Sequence, residues 1–150
     1  MAPVVVYDAN VLYPSTLRDV LIRVGIARLA QPHWSEKILD EAFENLAKNR
    51  PDLDTTRLAR TRELMNKAIR SAIVVGHEKL IPQLDLPDPD DRHVLAAAVK
   101  ADATQIVTRN LRDFPDEQLQ RWGVNAVHPD AFLRSLAEEH PAEMLTIVKD

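Results

Sequence analysis

The chain has 150 residues, of which 45% are hydrophobic, and its formal net charge is −4. This size and composition are typical of one packed domain, so we expect residues 1–150 to form a single domain. The sequence contains no cysteine, which excludes disulfide bonds, thiolate metal sites and cysteine nucleophiles. Any metal ion must therefore bind to oxygen or imidazole ligands.

The N-terminal sequence has neither the basic leader nor the apolar core of a signal peptide. No apolar run approaches the roughly 20 residues that a membrane-spanning helix needs. We therefore expect a soluble, cytoplasmic protein with no membrane association.

The first predicted elements are a strand and a helix. The β-branched run Val4–Tyr7 predicts a strand that is buried on both faces and ends at Asp8. Thr16 and Asp19 match a capping box, which predicts a helix from there to about Ala30.

The later elements continue this alternation. Two helices are predicted to begin after the capping residues Ser35 and Asp54. They are followed by a short strand at 73–75, an alanine-rich helix from 90 or 91, strands at 105–108 and 124–127 around a short helix at 116–122, and terminal helices from 129. The alternation predicts an α/β fold, a three-layer sandwich with a central, mostly parallel sheet flanked by helices.

Acidic side chains follow the predicted strands. Asp8 follows the first strand, and Asn110 and Asp113 follow the strand at 105–108. Asp91 and two neighbouring aspartates begin the alanine-rich helix, where capping explains any single carboxylate equally well. Because ligands of open parallel sheets bind beyond the carboxyl ends of the strands, the convergence of three acidic positions predicts a shared site.

A fourth acidic position lies on the helix after Ser35. Asp40 and Glu41 both fall about 130° from the centre of its apolar stripe at ~100° per residue. Helical periodicity therefore leaves three possibilities open: that Asp40, Glu41 or neither reaches the acidic site.

The chain also has a basic segment between residues 48 and 70, with seven basic and three acidic side chains, a balance of +4. Arg57, Arg60 and Lys67 lie on its predicted helix. A basic surface beside an acidic site would suit a polyanion together with a metal ion. A solvated helix face without a specific partner explains the same charges equally well.

Four motifs in fixed order carry a family resemblance. They are Asp8-Ala9-Asn10-Val11-Leu12 with the nearby Ser15, then Ser35, Ile38, Leu39 and Glu41, then Asp91-Arg92-His93-Val94-Leu95-Ala96-Ala97-Ala98, and finally Thr108-Arg109-Asn110-Leu111-Arg112-Asp113-Phe114. Together they resemble the PIN-domain nucleases, a family that includes VapC-type toxins of bacterial toxin–antitoxin pairs and several RNA-processing enzymes. Each motif is weak alone, but the ordered set is specific.

The resemblance implies a PIN-like sandwich and a Mg²⁺- or Mn²⁺-dependent endoribonuclease that hydrolyses phosphodiester bonds. It selects Glu41 over Asp40, so the implied acidic quartet is Asp8, Glu41, Asp91 and Asp113. Asp8 and Asp91 would ligate the metal directly, while Glu41 and Asp113 would ligate it or orient water.

The resemblance also implies supporting residues and partners. Asn10, Ser15, Thr108 and Asn110 would form hydrogen bonds around the quartet, as the residues surrounding metal ligands usually do. The charge of the basic segment, independently of the resemblance, predicts that Arg57, Arg60 and Lys67 contact nucleic acid. The implied partners are an RNA substrate, an antitoxin protein and a second copy of the chain in a homodimer.

Two other functions stay open at this stage. Asp8-Ala9-Asn10 also resembles the catalytic loop of haloacid-dehalogenase-like phosphatases, although Asn10 cannot act as their general acid and their glycine-flanked acidic motif is absent. A catalytically weak PIN scaffold that only binds RNA or a protein is the other alternative, with Asn110 as its sole sequence support. The five histidines lack metal-type spacing, and we interpret them as ordinary core or surface residues.

Overall fold

The computed structural model describes residues 2–149, within which five parallel strands form one sheet flanked by helices. The strands are β1 Val4–Tyr7, β2 Gln31–Ser35, β3 Ile73–Val74, β4 Gln105–Val107 and β5 Asn125–Val127. Their order is β3-β2-β1-β4-β5, and every neighbouring pair is parallel. The predicted α/β sandwich with a central parallel sheet is confirmed.

The helices alternate with these strands. They are α1 Ala9–Leu12, α2 Ser15–Ile26, α3 Glu36–Asn49, α4 Thr55–Ala68, α5 Arg92–Lys100, α6 Asp116–Gln120, α7 Pro129–Glu139 and α8 Pro141–Lys149. Short 3-10 helices span Glu78–Gln83, Pro89–Asp91 and Leu111–Asp113. Within residues 2–149, no helix is long and apolar enough to cross a membrane.

Strand β2 was not predicted, because Gln-Pro-His-Trp-Ser lacks both a β-branched run and a regular alternation. It becomes a strand through its position between β1 and β3. Pro32 pairs with Val5 of β1, whereas the pairing with β3 begins only at Trp34. The missing N–H of Pro32 therefore costs the β3 ladder no hydrogen bond.

The predicted capping box at Thr16 and Asp19 is wrong. The N-cap position of helix α2 is Pro14, two residues before Thr16, and it has no side-chain cap. Asp19 instead accepts a hydrogen bond from Arg23 Nε at 3.0 Å, a pair four residues apart on the helix surface. The helix also ends at Ile26, before the predicted end near Ala30.

Helix α5 lies against the centre of the sheet and contacts β1, β2 and β4. Ala96, Ala97 and Ala98 are fully buried there, and their small side chains allow the helix backbone to approach the strands closely. This packing holds the N-terminus of α5, and therefore Asp91, beside the residues that follow β1 and β4.

Candidate active site

A cavity of about 560 Å³ lies beyond the carboxyl ends of β1 and β4. Asp8, Glu41 and Asp91, three of the four predicted acidic residues, line it. The other lining residues are mostly polar: Ala9, Asn10, Tyr13, Asn45, Asn49, Arg109 and Asn110. The parallel sheet therefore brings together carboxylates that are far apart in the sequence, as the strand-end argument predicts.

Asp8 is the most buried of these carboxylates, with 7% of its surface exposed. Its Oδ1 accepts a hydrogen bond from Ala9 N at 2.7 Å. Its Oδ2 accepts hydrogen bonds from Thr108 Oγ1 at 3.0 Å and from Asn10 Nδ2 at 3.2 Å. Burial raises the pKa of Asp8, and the hydrogen bonds from Ala9 and Thr108 oppose that effect. The carboxylate is thus held in one orientation by both neighbouring strand ends.

Thr108 and Asn10 form the centre of this network. The Thr108 hydroxyl donates to Asp8 and accepts from Asn10 Nδ2 at 3.0 Å and from Asn110 N at 3.1 Å. Asn10 Oδ1 in turn accepts from Arg109 N at 3.0 Å. Asn10 and Thr108 therefore contact the carboxylate directly, whereas Asn110 joins the network through its backbone.

Asp91 occupies the N-cap position of α5, but its side chain makes no capping hydrogen bond. Asp88 performs that role for the preceding 3-10 helix, since its side chain accepts from Asp90 N at 2.9 Å. The pKa of Asp91 is raised to about 6, first by burial and then by the negative charges of Asp8, Asp113, Asp88 and Glu41. Capping therefore does not explain Asp91, which lies where several carboxylates repel one another.

Helix α3 separates the two acidic residues that periodicity could not distinguish. Glu41 lines the cavity, whereas Asp40 forms an ion pair with Arg62 Nη1 of α4 at 2.7 Å. The 100° between successive residues directs one carboxylate towards the sheet edge and the other towards the neighbouring helix.

His93 is a site residue that sequence reasoning missed. It has 2% of its surface exposed, and its Nε2 lies 2.8 Å from Glu41 Oε1. Despite this short contact, neither ring nitrogen of His93 has a well-formed hydrogen bond. The available signal was its place two residues after Asp91, on the buried face of an alanine-rich helix.

The remaining predicted residues are less tightly grouped. Asn110 lines the cavity. Asp113 ends the 3-10 helix Leu111–Asp113, is half-buried, and acts on Asp91 through its charge rather than as a lining residue. Ser15 is exposed at the start of α2 and lines a neighbouring cavity instead, as does Arg57 of α4.

Arg60 and Lys67 are exposed on α4 and line neither of these two cavities. Lys67 Nζ forms an ion pair with Glu63 Oε1 at 3.1 Å, between two largely exposed side chains. Such surface pairs are weak, so the lysine remains able to exchange partners.

The chemistry of the cavity fits a hard divalent cation. Within residues 2–149, no three acidic or histidine side chains are already close enough to hold one ion together. The donors are nevertheless carboxylate and amide oxygens, which Mg²⁺ and Mn²⁺ prefer. The repulsion that raises the pKa of Asp91 would be relieved by a bound cation.

The sequence profile of the PIN domain family matches residues 4–112, well over half of the chain. The chain belongs to the PIN domain family. The matched range includes Asp8, Glu41, Asp91 and Asn110 and ends one residue before Asp113. Membership of the PIN domain family does not favour the haloacid-dehalogenase-like alternative.

The chain is similar to a Mycobacterium tuberculosis (strain ATCC 25618 / H37Rv) protein named "Putative ribonuclease VapC50". The two are 45% identical over 65 residues, which cover 43% of this chain and 38% of the relative. The similarity thus spans less than half of the relative's length. No solved structure matches the chain significantly.

Proposed function

We propose that this PIN domain is a Mg²⁺- or Mn²⁺-dependent endoribonuclease and the toxin of a type II toxin–antitoxin system. The observation that carries the proposal is the convergence of Asp8, Glu41 and Asp91 on one cavity at the carboxyl edge of the sheet. The similarity to a protein named as a VapC ribonuclease supports RNA as the substrate.

In this proposal Asp8 and Asp91 hold the cation, and Glu41 and Asp113 ligate it or orient water from the sides. When bound, a divalent cation would act as a Lewis acid on the phosphoryl oxygens and lower the pKa of a water molecule. Asp8 is suited to a ligand role because its hydrogen bonds to Ala9, Asn10 and Thr108 fix it in advance.

The polar wall of the cavity would position the RNA. Glu41, Asn45 and Asn49 follow one another at four-residue intervals along α3, so they share one face of that helix. The two amides can donate to ribose or phosphate oxygens and accept from the 2′-hydroxyl. Arg109 lines the same cavity and offers a cation to the phosphate, which the carboxylates alone would repel.

The proposed partners beyond RNA are an antitoxin protein and a second copy of the chain. Both belong to the proposal of a VapC-type toxin, which the resemblance of the four motifs implies. Size-exclusion chromatography with light scattering on the purified chain would measure the homodimer directly. A monomer at all concentrations would remove that part of the proposal.

The deciding experiment is a titration of Mn²⁺ into the purified protein while a mixed RNA pool is assayed for cleavage. We expect cleavage that requires the metal and stops with EDTA. An Asp8→Asn variant purified by the same procedure should be inactive. Undiminished cleavage in EDTA would refute the metal mechanism. RNA binding without cleavage at any metal concentration would instead support the scaffold that only binds.

A further inference from the structure

A second cavity, of about 460 Å³, lies beside the acidic one, and Tyr13 lines both. Its charged lining residues are Arg18, Arg50 and Arg57, and none of its lining residues within 2–149 is acidic. Two adjoining cavities of opposite charge therefore share one aromatic wall. A nucleic-acid strand that passes over Tyr13 would place one phosphate beside the carboxylates that would hold the cation. The adjacent nucleotide would then lie in the basic cavity.

The positively charged guanidinium of Arg18 lies at this cavity without a carboxylate partner at ion-pair distance among residues 2–149. Its Nη1 donates to the carbonyl oxygens of Leu12 at 3.0 Å and Tyr13 at 3.3 Å, and its guanidinium lies 5.6 Å from the centre of the Phe43 ring. Among the residues that the structure describes, no carboxylate lies within ion-pair distance of Arg18. Partial burial lowers its pKa, and the nearby charge of Asp19 opposes that effect without forming an ion pair. A bound anion would therefore relieve the cost of burying this charge.

The other two arginines differ in their availability. Arg50 is paired with Asp52 through two parallel contacts, Nε–Oδ1 and Nη2–Oδ2, both of 3.0 Å. Arg57 is exposed and, within residues 2–149, has no carboxylate at ion-pair distance. Arg18 and Arg57 thus leave guanidinium donors available, and guanidinium groups match the geometry of a phosphate.

Three leucines form much of the apolar part of the lining of this cavity. Leu46 is buried, Leu53 and Leu58 are half-buried, and all three line it. An apolar floor under a cationic rim matches the two halves of a nucleotide, a flat base and a phosphate. Ligand sites of a few hundred Å³ are typical for small molecules of this size.

We propose that this cavity binds a nucleotide of the RNA adjacent to the cleaved bond, with its phosphate on Arg18 and Arg57 and its base on the leucine floor. The inference rests on the proposed ribonuclease function, since it assigns the neighbouring nucleotide of the same substrate. An acidic peptide could meet the arginines but would leave the leucine floor unused, so the nucleotide is the better match.

The test uses AMP, UMP, inorganic phosphate and hexaglutamate as probes, titrated into the full chain in EDTA and followed by NMR of the arginine Nε–H signals. Without metal, the carboxylates of the acidic cavity repel these anions. Because Arg109 also lines that cavity, a loss of binding in the Arg57 variant is what assigns the bound probe to the basic cavity. The test variant is Arg57→Gln, and the matched control is Arg121→Gln, an exposed arginine that lines neither of the two cavities.

We expect both nucleotides to bind, with affinity about 10-fold lower in Arg57→Gln, as the loss of one charge-assisted hydrogen bond implies. Arg121→Gln should bind them like the wild-type protein, and inorganic phosphate should bind more weakly than AMP. The proposal is overturned by an absence of nucleotide binding, by equal losses in the two variants, or by hexaglutamate or phosphate binding as tightly as AMP.

The outcome is separable from that of the proposed ribonuclease function. Nucleotide binding without Mn²⁺-dependent RNA cleavage would leave the subsite in place and refute the enzyme. RNA cleavage without nucleotide binding would support the enzyme and refute the subsite. If both hold, Arg57→Gln should raise KM for RNA several-fold more than it lowers kcat.

Discussion

His93 Nε2 and Glu41 Oε1 lie 2.8 Å apart, which joins the buried face of α5 to the cavity face of α3. The contact links two helices whose acidic residues, Asp91 and Glu41, line the same cavity. His93 is therefore placed to hold Glu41 in position, although it does not line the cavity itself.

Replacing His93 should separate activity from stability. We expect His93→Leu to lower kcat about 10- to 100-fold, because residues that orient metal-site carboxylates have effects of that size. Its melting temperature should be unchanged or higher, since the substitution removes a buried ring without well-formed hydrogen bonds. His93→Gln should recover part of the activity through its amide. Wild-type kcat in His93→Leu would show that Glu41 needs no such support.

The order of the acidic motifs was enough to predict which strand ends meet, because a parallel sheet places them at one edge. Sequence periodicity could not choose between Asp40 and Glu41, since both lie equally far from the apolar stripe. The choice depends on α4, whose Arg62 pairs with Asp40. Such a partner lies 22 residues along the chain and is visible only once the helices are packed.

Strand β2 and His93 escaped prediction for related reasons. Gln31–Ser35 is a strand because β1 and β3 flank it, not because of its own residues. His93 resembles any buried core histidine in the sequence. Only the position of Glu41 on another helix shows that its ring faces the site.

Stability should depend on pH through Asp91. Its pKa is about 6 in the folded chain and 3.8 in the reference state, so the folded state holds the extra proton between those values. Stability from this group should therefore fall as pH rises from about 4 to 6 and stay low above pH 6.

We expect Asp91→Asn to raise the free energy of unfolding at pH 7.5 by about 1 kcal/mol, a value reduced from the full shift because solvent screens the partly exposed group. Thermal melts from pH 4 to 8 would measure this. Asp90→Asn, an exposed neighbour outside the cavity, is the control. If metal-free Asp91→Asn were no more stable than the metal-free wild-type protein at pH 7.5, the result would contradict repulsion between Asp91 and the other carboxylates.

The basic surface of α4 should govern the salt dependence of RNA binding. Charge reversal of Arg57, Arg60 and Lys67 to Glu together should reduce the slope of log K against log salt by about 2, since each single-strand phosphate contact contributes ≈0.7. Charge reversal of Arg121, Arg134 and Lys149, which are exposed outside α4, changes the net charge by the same amount. It should reduce the slope of log K against log salt less than the α4 variant does. Equal effects of the two triple variants would show that α4 is an ordinary solvated helix.

Asn110 and Asp113 compete for the fourth position of the site. Asp113 N donates to Asn110 O at 3.0 Å, so a single tight turn separates the two residues, with Asn110 directly before the 3-10 helix and Asp113 at its end. Asn110 lines the cavity, but a neutral amide offers a divalent ion only a dipole. Asp113 carries the charge, and that charge already acts on Asp91.

We therefore expect Asp113→Asn to lower cleavage about 10- to 100-fold and to weaken Mn²⁺ binding, whereas Asn110→Ala should cost less than about 10-fold. Asp8→Asn should be at least as damaging as Asp113→Asn. Asp113→Asn should also lower the pKa of Asp91 in the metal-free protein, because it removes one repelling charge, and NMR titration of the Asp91 carboxyl carbon would detect this. Unchanged circular dichroism must show that each variant is folded. If Asp113→Asn kept wild-type activity while Asn110→Ala were inactive, the site would consist of three carboxylates and one amide.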